Sequence, residues 1–210
     1  LLMHFDNNLK EESHNYQVND IGPEKTYTNS PFDWMNQAIF FDNGNPAKQS
    51  FIIVPYTSDF SLKGSWTIEF WMNIKDWNMS HNSWPVPILL PTDNWNANYY
   101  LEVPSSMGRL KYGFQSNKGT INVMSAENTI TKGKWYHISL INDYENRLVK
   151  IIVRDNKYEK TDESFTSYPE GTIIETGTQD LRIGNGLAGD NCFNGYMDEL
   201  RVSNKVRSSG

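Results

Sequence analysis

The alternation through residues 66–74 constrains this chain most. Trp66, Ile68, Phe70, Met72 and Ile74 fall on one side and Thr67, Glu69, Trp71 and Asn73 on the other. A period of two belongs to a strand that buries one face. Shorter apolar runs recur at 1–5, 38–41, 50–54, 86–90, 99–103, 109–115, 120–125, 135–141, 148–155, 172–174, 180–183 and 196–202. Between them stand turn signals such as Asp42-Asn43-Gly44-Asn45 and the hairpin stretch 142–147. Residues 17–35 and 156–171 read as irregular, and 75–98 as one long loop. No segment keeps a helical period. About 12 short, closely spaced strands call for two antiparallel sheets packed face to face. Without an internal repeat or linker, residues 1–210 form a single module.

Composition narrows the function classes. Of 210 residues, 38% are hydrophobic and 13% aromatic, so the apolar content leans toward rings. The 24 asparagines cluster with Gly and Asp, which is turn chemistry. A net charge of −6 with scattered Lys and Arg argues against a nucleic-acid partner. The single cysteine, Cys192, forms no disulfide within the chain and reads as a buried thiol. No stretch is long and apolar enough for membrane insertion as a helix. The chain begins inside a strand and ends in a polar tail, so it is expected to be a piece cut from a longer polypeptide.

Several segments carry a family resemblance. Leu1-Leu2-Met3-His4-Phe5-Asp6, followed by Leu9-Lys10-Glu11-Glu12-Ser13, resembles the opening "LLLHFDGNLKDSSG". Ala38-Ile39-Phe40-Phe41-Asp42 and then Phe51-Ile52-Ile53-Val54-Pro55 resemble a second strand pair. After Phe60, Trp66-Thr67-Ile68-Glu69-Phe70-Trp71 resembles "FTIEFW", and Lys134-Trp135-Tyr136-His137-Ile138-Ser139 resembles "WHHIAL". Leu181-Arg182-Ile183-Gly184 and residues 193–202 resemble "LRIG … FxGYIDEVRIS". In order and spacing the set is similar to a laminin-G-like domain of the concanavalin A-like lectin/glucanase superfamily, across almost the whole chain. The resemblance implies an all-β jelly-roll sandwich with first and last strands adjacent. It implies binding or scaffolding more often than catalysis. The opening, in an Asn-rich and Cys-poor chain, looks most like versions carried by bacteriophages.

Three kinds of site can be weighed. Glycosidic chemistry needs two carboxyl groups flanking the bond. The one acid-x-acid pair, Asp143-Tyr144-Glu145, sits at an expected hairpin tip, so the chain is read as no enzyme. His4, His14, His81 and His137 show no metal-ligand spacing. Asp198, in the last strand, shares a face with Tyr196, Leu200 and Val202 if that strand alternates regularly, and a carboxylate there needs compensation. With the first and last strands adjacent, Asp6 and Asn8 approach Asp198, an oxygen set suited to a structural Ca²⁺. For ligands, Trp77, Trp84 and Trp95, with Asn96 and Tyr99, lie in or beside the long loop. Rings stack on the apolar faces of sugars, and amides both donate and accept. The favoured reading is a non-catalytic lectin-like module binding surface glycans. The alternative is a structural decoration, tail or head fibre domain of a bacteriophage, contacting neighbouring virion subunits. Either places it outside a cell or on a virion surface.

Overall fold

The computed structural model describes residues 1–6, 8–22, 25–30, 32, 36–43, 49–77, 84–92, 96–104, 107–186 and 192–207. Two antiparallel sheets face each other. Sheet I runs in the order β13 (Lys160–Ser167), β12 (Leu148–Arg154), β11 (Tyr136–Asp143), β6 (Trp66–Asp76), β15 (Asn194–Ser203), β4 (Gln37–Phe41), β3 (Thr26–Asn29), and β1 (Leu2–Met3) also pairs with β15. Sheet II runs β10 (Gly119–Met124), β9 (Lys111–Ser116), β8 (Ala97–Glu102), β7 (Ile88–Pro91), β14 (Leu181–Ile183), β5 (Phe51–Val54), β2 (Asn19–Ile21). This is the all-β sandwich of two antiparallel sheets that the strand pattern called for. The first strand does lie beside the last: Leu2 is opposite Arg201 and Met3 opposite Leu200.

The core sits between the sheets. Trp66, Ile68, Phe70, Met72 and Ile74 all point into it and are buried, as the alternation required. Trp66 reaches across to sheet II, where its Nε1 donates to the Tyr112 hydroxyl at 2.6 Å and its ring meets Phe114 edge-on. Two buried asparagines staple the turns. Asn43 accepts from Ser50 N at 2.7 Å and donates to the Phe193 carbonyl at 2.7 Å. Asn98 accepts from Leu62 N at 2.9 Å and donates to the Glu175 carbonyl at 2.6 Å. Asn98 is thus a core staple, not one of the loop amides offered to a ligand. Gly184, after β14, has φ +90°, and a Cβ there would stand 2.7 Å from the Phe41 ring, so only glycine fits this turn.

The regions read as irregular hold three strands. β2 and β3 lie within 17–35, and β13 within 156–171. All three are edge strands, and most of their residues are exposed or half-exposed. They are held by backbone ladders, and without a buried face they show no hydrophobic rhythm. Conversely, the strand expected at 172–174 is reduced to an isolated bridge between Ser116 and Ile174.

Candidate functional site

The expected long loop is not one loop. β7 runs through it and pairs with both β8 and β14. Residues 77–87 therefore lead into one end of β7, and the turn before β8 leaves from the other. Trp77 packs half-buried on the rim of the core, with the Lys132 ammonium 5.9 Å from its ring. Asn96 belongs to the opposite turn, where its carbonyl accepts from Thr92 N at 2.9 Å. Trp95 lies outside the described residues, as do Asn78, Asn82 and Asn94. Trp77 and Trp84 thus stand at one end of β7 and Asn96 at the other.

Tyr99 requires a correction. In β8, residues 99 and 101 face the core, and Tyr99 is fully buried against Trp66, at 6.4 Å between rings. Burial pushes its hydroxyl far above the ordinary tyrosine range. It cannot meet a ligand at the surface. The outward residues of β8 are Tyr100 and Glu102, and these come together with Trp84. The Lys111 ammonium lies 5.1 Å from the Trp84 ring and 5.4 Å from the Tyr100 ring, and 3.1 Å from Glu102 Oε2. Below them Val86, Leu89, Ala97 and Tyr100 form a small apolar cluster separate from the main core. Trp84 stays 36% exposed. Glu102 and Lys111 were not singled out from the sequence. The signal was there in the alternation of Tyr100 and Glu102 against Tyr99 and Leu101.

Asp198 also departs from regular alternation. The β15–β6 register shifts between Asp198 and Arg201, and Glu199 has φ +53°. This bulge turns the strand over. Met197, Leu200 and Val202 enter the core, while Asp198 shares the outer face with Tyr196 and not with Leu200 and Val202. Along one edge of β15, β4 stops opposite Met197 and β1 starts opposite Leu200, so Asp198 and Glu199 fall in the gap. Asp198 is fully buried. Its Oδ1 accepts from Glu199 N at 2.8 Å, and its Oδ2 has no partner. Burial, with the charges of Glu199 and Asp6, pushes its carboxyl up to about 8, against a smaller downward pull from the Glu199 N–H.

The expected calcium ligands converge only in part. Asp6 is close enough for its charge to act on Asp198, but its oxygens accept from Gln37 N at 3.2 Å and Asn36 Nδ2 at 3.3 Å. Asn8 is exposed and closes its own turn, donating to the Asp6 carbonyl and accepting from Lys10 N, both at 2.8 Å. Among the described residues no group of three or more His, Cys, Asp or Glu is arranged to hold a metal ion. The busiest carboxylate nearby is Glu11, which takes hydrogen bonds from Leu2, Ser13, His14 and Tyr16. These outweigh its burial and hold it down to about 2. Of the acid pair at the hairpin tip, Asp143 is engaged with Asn146 at 2.8 Å.

A laminin-G family model, described as concanavalin A-like lectin/glucanases superfamily, matches residues 43–210. The chain belongs to that superfamily. A search of curated protein sequences returns no match. Among solved structures, the binding domain of Paraclostridial Mosquitocidal Protein 1 is similar at 15% identity and a TM-score of 0.72, over 99% of this chain and 48% of that one. Domain 4 of an extracellular GH43 arabinanase from Geobacillus stearothermophilus, in complex with arabinotriose, is similar at 19% identity and a TM-score of 0.65, over 96% and 90%. A CBM40 of a Ruminococcus gnavus sialidase, bound to α2,3-sialyllactose, is similar at 12% identity and a TM-score of 0.52, over 70% and 80%. The chain spans about half the length of the mosquitocidal binding domain. At these identities the likeness is one of fold.

Proposed function

We propose that this chain is a non-catalytic, lectin-like recognition module that binds a surface glycan outside a cell. The observation that carries the reading is the Trp84 patch. A third-exposed indole stands on an apolar floor beside Tyr100, with the Lys111 ammonium over both rings and the Glu102 carboxylate next to it. Such a patch offers a stacking face together with a donor and an acceptor for hydroxyls. The sugar-bound arabinanase domain and CBM40 share the fold, which supports the reading. The engagement of Asp143 in a turn leaves the one acid-x-acid pair unsuited to hydrolysis.

A glycan array probed with the chain and with Trp84→Ala tests this. Binding that Trp84→Ala weakens, with no release of reducing sugar, is expected. An empty array removes the glycan reading. If the module instead decorates a bacteriophage virion, the array stays empty and Trp84 becomes protected from solvent labelling in the assembled particle.

Of the side-chain oxygens of the expected calcium ligands Asp6, Asn8 and Asp198, Asp198 Oδ2 is the one left without a hydrogen bond, within reach of the Asp6 charge. A metal bound only by the folded state raises the melting temperature. Adding Ca²⁺ to chelator-treated protein is therefore expected to raise the midpoint, and Asp198→Asn to abolish the rise. A midpoint unmoved by Ca²⁺ removes the metal.

A further inference from the structure

The outer face of sheet I carries a second group of side chains, remote in register from Trp84. They stand in two adjacent rows. In the first, Phe40 lies opposite Tyr196 and Tyr196 opposite Asn73, and Trp135, one residue ahead of β11, continues the row. The Phe40 and Tyr196 ring centres are 4.7 Å apart, and those of Tyr196 and Trp135 6.1 Å. All three rings are half-buried, so each keeps part of its surface open. In the second row Asp198, Trp71, His137 and Arg154 follow one another across β15, β6, β11 and β12. Phe32 packs on Trp71 at 4.7 Å, and Tyr158 on His137 at 5.3 Å.

Polar atoms in these rows are buried and without partners: Asn73 Oδ1, His137 Nδ1, Arg154 Nε and Asp198 Oδ2. Proteins pair the great majority of buried polar groups, because an unpaired one costs about 1–3 kcal/mol. One orphan is unremarked in a native structure. Four on the same face of one sheet, beside a line of half-open rings, mark a place where a ligand supplies the missing bonds.

We propose that this face is a second binding site, for a neutral saccharide unit that stacks on Tyr196 and Trp135 and directs a hydroxyl at the Asn73 amide. The orphans include acceptors and a donor, and a hydroxyl serves both. The rings supply the apolar face that a sugar ring matches. An organic cation is the other ligand that rings with a carboxyl group recognise. Here the protein's own cations hold those positions. Lys75 lies 4.7 Å from the Phe40 ring and Arg154 5.0 Å from the Tyr158 ring.

The test titrates the 210-residue chain with neutral trisaccharides (cello-, xylo-, arabino- and galacto-) and with tetramethylammonium chloride, following tryptophan fluorescence and heat of binding. At least one trisaccharide is expected to bind. Trp135→Ala should weaken it by tenfold or more, and Asn73→Ala by several-fold, while Trp84→Ala leaves this component unchanged. Asn73→Ala keeps the test open if Trp135→Ala fails to fold. Binding that neither substitution weakens overturns the site, as does no saccharide binding, or binding of tetramethylammonium in its place. Loss on Trp84→Ala alone removes this site and leaves the Trp84 patch standing; loss on Trp135→Ala alone does the reverse.

Discussion

The two sheets share one core but present unlike outer faces. On sheet II the polar groups around Trp84 are paired at the surface: Lys111 meets Glu102 at 3.1 Å and both keep contact with water. The apolar floor beneath is small and separate. On sheet I, Asp198 and His137 are buried, with Trp71 between them, and each has an atom that finds no partner. Water can finish the bonding on sheet II, whereas on sheet I the desolvation of charged groups is offset only by packing. The sheet II face should therefore tolerate substitution, and the sheet I face should govern both stability and its dependence on pH.

Truncating the one large ring at the centre of each face gives the widest contrast. Trp71 is buried and touches Phe32, His137 and Tyr158. Trp71→Ala removes those contacts and leaves a cavity, at about 3–5 kcal/mol. Trp84 is a third exposed, and Trp84→Ala should cost no more than about 1 kcal/mol. Urea unfolding of both variants measures the difference. Equal losses would mean that sheet II is as firmly packed as sheet I and would break the comparison.

How much of this was legible in advance follows the same divide. The core face of β6 and the pairing of β1 with β15 could be read because burial imposes a rhythm and the end strands each had an apolar run. β2, β3 and β13 left no rhythm, since backbone ladders alone hold them. The bulge at Glu199 was invisible: a single left-handed residue that is not glycine reverses the face of everything after it. That is why Asp198 was assigned the wrong companions although its burial was foreseen. Tyr99 was misplaced for a simpler reason. As the first residue of a run beside the long loop it has no neighbour on one side to fix its face, and one residue's shift separates the core from the surface. The rows on sheet I come from five strands distant in sequence, and no local pattern announces them.

Titration separates the faces next. Asp198 has a folded pKa of about 8 against an ordinary 3.8, and burial with Arg154 and Arg201 lowers His137 to about 4 from 6.5. A raised acid stabilises fully below its unfolded value, and that contribution is lost as pH rises through the folded value. A depressed base does the opposite, losing its contribution as pH falls below 6.5. Between pH 4 and 6.5 the two slopes oppose and cancel. From 6.5 to 8 Asp198 lowers stability by about 2 kcal/mol, at about 1.4 kcal/mol per pH unit, against an opposing rise from the Leu1 ammonium, which burial lowers from its ordinary 8.0. Asp198→Asn should flatten the upper limb and expose a rise between pH 4 and 6.5. His137→Gln should extend the fall down to pH 4. An upper limb that Asp198→Asn leaves unchanged would show that Asp198 has found a partner.

Salt supplies the smallest and most discriminating effect. The Lys111–Glu102 pair is near the surface, so a double-mutant cycle with Lys111→Met and Glu102→Gln should give only about 0.2–1 kcal/mol. In 1 M salt the screening length is roughly 3 Å and this coupling should vanish. The methionine keeps much of the apolar stem against Trp84 and Tyr100, so what Lys111→Met still costs at high salt reports the ammonium over the rings, about 0.5–1 kcal/mol. The pH slope from Asp198 should barely respond to the same salt, because buried charges are screened far less. Coupling on sheet II that survives 1 M salt would place that pair in a drier setting than its exposure indicates. A pH slope that salt erases would put water against Asp198, and with it the reason for treating the two faces as different would be gone.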